Sequence, residues 1–100
     1  MTVFRLSHTP NQTFSTSVNG HSFSFAIRTF RGMPYMSVSI DGKPYQSGAK
    51  CVPNESIFGW TVNDIAQGEF RFVVIGDKYP SYESFGGQAC RFAYIPFGEL

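Results

Sequence analysis

The fold turns on one stretch, Phe14-Ser15-Thr16-Ser17-Val18-Asn19-Gly20-His21-Ser22-Phe23-Ser24-Phe25-Ala26-Ile27-Arg28. Phe14, Thr16 and Val18 alternate with Ser15 and Ser17, then Phe23, Phe25 and Ile27 alternate with Ser22, Ser24, Ala26 and Arg28. A period of two places one set on a buried face and the other on the solvent face of a strand. Between the two runs stands Asn19-Gly20, whose residues readily take the positive φ that a two-residue hairpin turn demands. This stretch predicts an antiparallel hairpin with an apolar inner face.

The pattern continues outward. Phe30-Arg31-Gly32 reads as a turn, and Tyr35 to Ile40 as a strand with Met36, Val38 and Ile40 on one face. Asp41-Gly42 is a second hairpin turn. Lys43 to Tyr45 starts the return, and Pro44, which has no N–H to donate, marks it as an edge. Gln46 to Gly48 is expected to bulge or turn before a strand from Gly48 to Val52, which Pro53-Asn54 stops. On the amino-terminal side Val3 to Leu6 is a short strand.

Glu55 to Gly68 follows no single period, and a helical turn is expected near Asn63 to Gln67, capped by Asn63 or Asp64. Glu69 to Ile75 carries apolar residues on both faces, which predicts a central, doubly covered strand. After Gly76-Asp77, Tyr79 to Gly86 reads as a loop or short helical turn, and Gln88 to Ile95 as the last strand. The expectation is a single all-β domain over residues 1–100: an antiparallel barrel or sandwich of about seven hairpin-connected strands with little helix.

Composition narrows the function. Charged residues make up 15% and aromatics 17%, with 11 Phe. Soluble domains average about 25% charged residues, so these rings outnumber what a small interior shelters, and companions are expected to cover the rest. The net charge is +1, which argues against a general polyanion binder or a polybasic membrane-surface protein. No apolar run approaches the ~18 residues of a membrane span. The opening MTVFRLSHTP lacks a signal-peptide pattern, so folding in the cytoplasm of the producing cell is expected. That compartment makes Cys51 and Cys90 buried free thiols, and neither has a metal-ligand spacing to His8 or His21.

No catalytic motif emerges. There is no G-x-S-x-G and no phosphate-binding glycine loop, and the serines fall at solvent-facing strand positions. His8 and His21 lie near a loop and a turn, and Glu55, Asp64 and Glu69 flank the irregular segment; a solvated loop accounts for them. Arg28, Arg71 and Arg91 lie in strands beside aromatic residues, as in oligonucleotide-binding barrels. Along each strand, however, Arg71 and Arg91 point away from the neighbouring rings. Asn11-Gln12-Thr13 and Asn54-Glu55-Ser56 match a glycosylation pattern but read as turn residues. The aromatic residues outside the strands, Phe58, Trp60, Tyr79, Tyr82, Phe85 and Phe97, are the candidate interface residues.

Several segments together resemble a known family: Pro10-Asn11-Gln12 with Phe14, Asn19-Gly20, Met36-Ser37-Val38-Ser39-Ile40-Asp41-Gly42 and Cys51-Val52-Pro53-Asn54. Gly68-Glu69-Phe70-Arg71-Phe72, Gly76-Asp77-Lys78-Tyr79-Pro80-Ser81-Tyr82 and Phe85-Gly86 complete the pattern. In order and spacing they are similar to the small baseplate plug, or hub, proteins of contractile-tailed bacteriophages. The resemblance implies a non-enzymatic structural component without cofactor or metal, made in the host cytoplasm and placed in the virion tail baseplate. Its implied partners are other baseplate, tube or spike proteins, with no membrane and no nucleic acid. Tail symmetry adds a homo-oligomeric ring of three or six copies, and edge strands such as the Pro44 strand are further surfaces for neighbours. The alternative reading is a small binding module for oligonucleotide or carbohydrate.

Overall fold

The computed structural model describes residues 1–74, 80, 81, 85 and 90–99. Four strands in chain order, β2 (Gln12–Val18), β3 (His21–Phe30), β4 (Met33–Ile40) and β5 (Lys43–Lys50), form one antiparallel sheet. Each joins the next through a two-residue turn: Asn19-Gly20, Arg31-Gly32 and Asp41-Gly42. Both residues of every turn have positive φ, from 50° to 82°. This conformation matches the right-handed twist of the strands it joins. The expected faces hold: Phe23, Phe25, Ile27, Met36, Val38 and Ile40 are buried, and Phe25 lies opposite both Phe14 and Val38. β5 is one continuous strand rather than two, with register shifts against β4 around Val38. It occupies the edge, as Pro44 requires.

The second sheet has the order β1 (Thr2–Phe4), β7 (Cys90–Pro96), β6 (Gly68–Val74), all antiparallel. Here the sequence expectation needs correction. β6 is an edge strand, and β7 is central because β1 pairs with its other side. β6 looks covered because the segment after β5 runs along its free edge. Asn54 N–H donates to the Phe72 carbonyl at 2.7 Å and Ile57 N–H to the Phe70 carbonyl at 3.1 Å. The Asn54 side chain completes the cover, donating to the Val74 carbonyl and accepting from its N–H at 3.0 Å. Ile75, part of that expectation, lies outside the described residues.

The helix α1 (Trp60–Ala66) is longer than expected and starts after Gly59. Asn63 is not its cap. It lies inside the helix, 8% exposed, and donates to Ser56 Oγ at 3.0 Å and to the Phe58 carbonyl. Val62, Ile65 and Ala66, spaced by three and four, give the helix its inward face. Gln67 ends it in the left-handed conformation, φ 55°, the geometry of a helix C-cap. Gly68 follows where no side chain fits: a Cβ there would sit 2.5 Å from the Ile95 carbonyl oxygen. A 3₁₀ turn, Phe97–Glu99, closes the described chain.

The two sheets pack face to face as a sandwich, not a closed barrel. Rings from both meet at its centre: Phe25 lies 5.2 Å from Phe70 and 5.5 Å from Phe92, and Phe23 lies 5.5 Å from Phe70. Fully burying one such ring contributes about 1.5–3 kcal/mol.

Candidate functional site

The six aromatic residues singled out in the sequence separate into three groups. Phe58 is 4% exposed and Phe85 is fully buried; neither offers a ring to a neighbour, which corrects the reading of both as surface contacts. The segment carrying Phe58 is tied to β6, so its ring stacks on Phe25 at 6.0 Å and meets Phe70 edge-on at 5.9 Å. Phe85 bridges to Cys90 and stacks on Phe72 at 5.7 Å. Tyr79 and Tyr82 lie outside the described residues. Trp60 and Phe97 remain outside the core, 72% and 37% exposed.

These two are brought together from distant parts of the chain. Trp60 opens α1, and Phe97 opens the 3₁₀ turn after β7. The Phe97 N–H donates to the Gln67 carbonyl at the end of α1, 3.1 Å away. This bond sets the tail beside the helix. The rings then lie nearly parallel, 14° between planes and 6.5 Å between centroids. Main-chain geometry thus brings the two rings together at the surface.

One exposed ring escaped the sequence reading. Phe30, 64% exposed, has Arg31 over its face at 5.3 Å. The register already contained the signal: Phe30 continues the outward set Ser22, Ser24, Ala26 and Arg28. Tyr45 on the β5 edge is also partly exposed, with Lys43 5.9 Å from its ring.

Several of the described polar residues pair with one another. His21 Nδ1 lies 2.6 Å from Asp41 Oδ2, and Asp41 Oδ1 accepts the Ser22 N–H at 2.9 Å. These bonds, His21 first, hold the Asp41 carboxyl below the usual carboxylate range. They clip two hairpin turns together, and among the described residues no serine or cysteine side chain bonds His21. Glu69 is engaged by Arg71 at 2.6 Å, and Asp64 is exposed on α1. No metal-binding group of His, Cys, Asp and Glu occurs among the described residues. Arg28 lies on the outer face of the four-stranded sheet, whereas Arg71 and Arg91 lie on that of the three-stranded sheet. Arg71 and Arg91 thus share a face on paired strands, and Arg28 lies apart from them. Cys51 and Cys90 are buried thiols. Burial, aided by the nearby Cys90, pushes the Cys51 thiol up to about 12, so it remains protonated and unreactive at neutral pH.

The family model described as the cyanophage baseplate Pam3 plug gp18 matches residues 1–97. The chain belongs to this family of phage baseplate plug proteins. A search of curated proteins finds no match. The family match covers both sheets, α1 and Phe97. It makes the chain a structural component of the phage tail baseplate.

Proposed function

We propose that this baseplate plug acts by protein–protein assembly in the central hub region of a contractile tail, docking on hub, tube or spike proteins. The stacked, exposed Trp60–Phe97 pair carries this reading. Trp is among the residues most enriched at binding hot spots, and an exposed ring pair on a chain with only 15% charged residues is suited to burial against another chain. Several copies around the tail axis form a ring of three or six, the closed arrangement that a rotationally symmetric tail permits.

The test is incorporation into baseplates reconstituted from purified tail proteins, read as native mass with subunit composition. Trp60→Ala with Phe97→Ala is expected to reduce incorporation at least tenfold and to leave thermal unfolding within a degree or two, since both rings lie outside the core. Unchanged incorporation of the double variant overturns the assignment. A salt-sensitive shift of oligonucleotides by the isolated chain would transfer the argument to the binding-module alternative.

A further inference from the structure

Among the described residues the sandwich has four sheet edges, and three are blocked. Residues 53–57 cover β6, β1 is three residues long, and β5 carries Lys43, Pro44, Lys50 and a register shift. These are the usual devices against strand addition. β2 has none of them. It is seven residues long, in unbroken register with β3, and its sequence Gln-Thr-Phe-Ser-Thr-Ser-Val contains no charge, proline or glycine.

The hydrogen-bond phase of β2 follows from its turn. Across a two-residue turn the flanking pair, Val18 and His21, exchanges both main-chain bonds, and bonded and non-bonded pairs alternate from there. Thr16, Phe14 and Gln12 therefore bond to β3. Thr13, Ser15 and Ser17 direct their N–H and C=O groups to the open side, where no described residue meets them. Directly inside this edge, between β2 and β1, is an open-sided cavity of about 180 Å³. Phe4, Thr16, Val18 and Tyr94 are among its lining residues. A protein cavity of about 150 Å³ has room for a benzene ring; this one is open on one side, and Thr2, Ser17 and Asn19 also line it.

We propose that β2 is a strand-acceptor site for an extended, uncharged segment of another baseplate protein. That segment bonds to Thr13, Ser15 and Ser17 and inserts one phenyl- or leucine-sized side chain into the cavity beside Thr16. A strand added to a free edge gains affinity from main-chain bonds and specificity from a pocket at alternate positions, and both are present here. A second copy is a poorer occupant. Its inward ring, Phe14, is engaged with its own Phe25 at 5.1 Å and Phe92 at 5.9 Å. Pairing β2 with β2 would thus seal two unfilled cavities in the joint, against the close packing of interiors. The site is separate from the Trp60–Phe97 pair and does not depend on it.

The test uses the full chain and a capped synthetic peptide, Thr-Val-Thr-Phe-Thr-Val-Thr, with residue-resolved amide exchange. Saturating peptide is expected to slow exchange at Thr13, Ser15 and Ser17 at least tenfold. Ser15→Pro removes an outward N–H that the β2–β3 ladder does not use, so the sheet is retained while peptide affinity falls at least tenfold. Thr16→Phe fills the cavity from within and is expected to weaken binding similarly, whereas Trp60→Ala leaves it unchanged. Absence of protection, or equal binding by both β2 variants, overturns the proposal. So does concentration-dependent protection of the same amides without peptide, which assigns the edge to a second copy.

Discussion

The two sheets are built from opposite kinds of contact. The four-stranded sheet takes its strands in chain order, each folding back on the last through two residues. The three-stranded sheet brings Thr2–Phe4 beside Cys90–Pro96, and its remaining edge is completed by the Asn54 to Ile57 segment. Local pairing costs little loop-closure entropy, whereas non-local pairing is stabilised only once the partner surface exists. The hairpin sheet thus serves as the platform on which the chain ends assemble, and the aromatic contacts between sheets hold the second one in place.

Removing the joint between them should have the largest effect. Phe25→Ala deletes a ring that touches Phe14, Phe58, Phe70 and Phe92 and is expected to cost about 3–5 kcal/mol in denaturant unfolding. Gly68→Ala attacks the non-local sheet alone. Its Cβ would meet main-chain atoms of Ile95 and Pro96 at 2.5 and 2.9 Å, which predicts a loss of about 1–3 kcal/mol, with faster amide exchange in β6 and β7 than in β3. Gly42→Ala is the local counterpart. It faces open space but has φ +82°, so the expected loss is about 1 kcal/mol, checked by the same unfolding curve. Equal exchange in both sheets of the Gly68 variant would contradict their unequal dependence on long-range contacts.

The smallest effect concerns acid. The Asp41 carboxyl is held below its ordinary 3.8 by the His21 and Ser22 bonds. Their contribution is complete above that value and fades as pH falls through the depressed one. Asp41→Asn should therefore lower the melting temperature slightly at neutral pH, with the difference from the native chain closing below about pH 3.8. A difference that persists unchanged in acid would remove this clip from the description.

Legibility in the sequence follows the same division. Asn19-Gly20 and Asp41-Gly42 announce their turns through local backbone preference, and Phe23, Phe25 and Ile27 announce their face through a period of two. Asn63 misled because a polar residue near a helix start has the same local signature whether it caps or is buried; its partners, Ser56 and Phe58, come from the preceding loop. The β6 strand looked central because Val73 and Ile75 give it a second apolar face, and apolar faces do not tell how many strands pair with its edges. Phe58 and Trp60, two residues apart in one irregular segment, carried the same weight as interface candidates. One is in the core and the other is among the most exposed rings.

The amino-acid order by itself determined that this is an all-β chain, where its tight turns fall and which face of each hairpin strand is apolar, because those properties depend on φ preferences and side-chain alternation within a few residues. Tertiary structure alone decided which strand stands at the centre of the second sheet, which aromatic rings remain outside, and which edge no other described residue pairs with. Each of these depends on what segments far apart in the chain place against one another, and burial is a property of that meeting rather than of any residue.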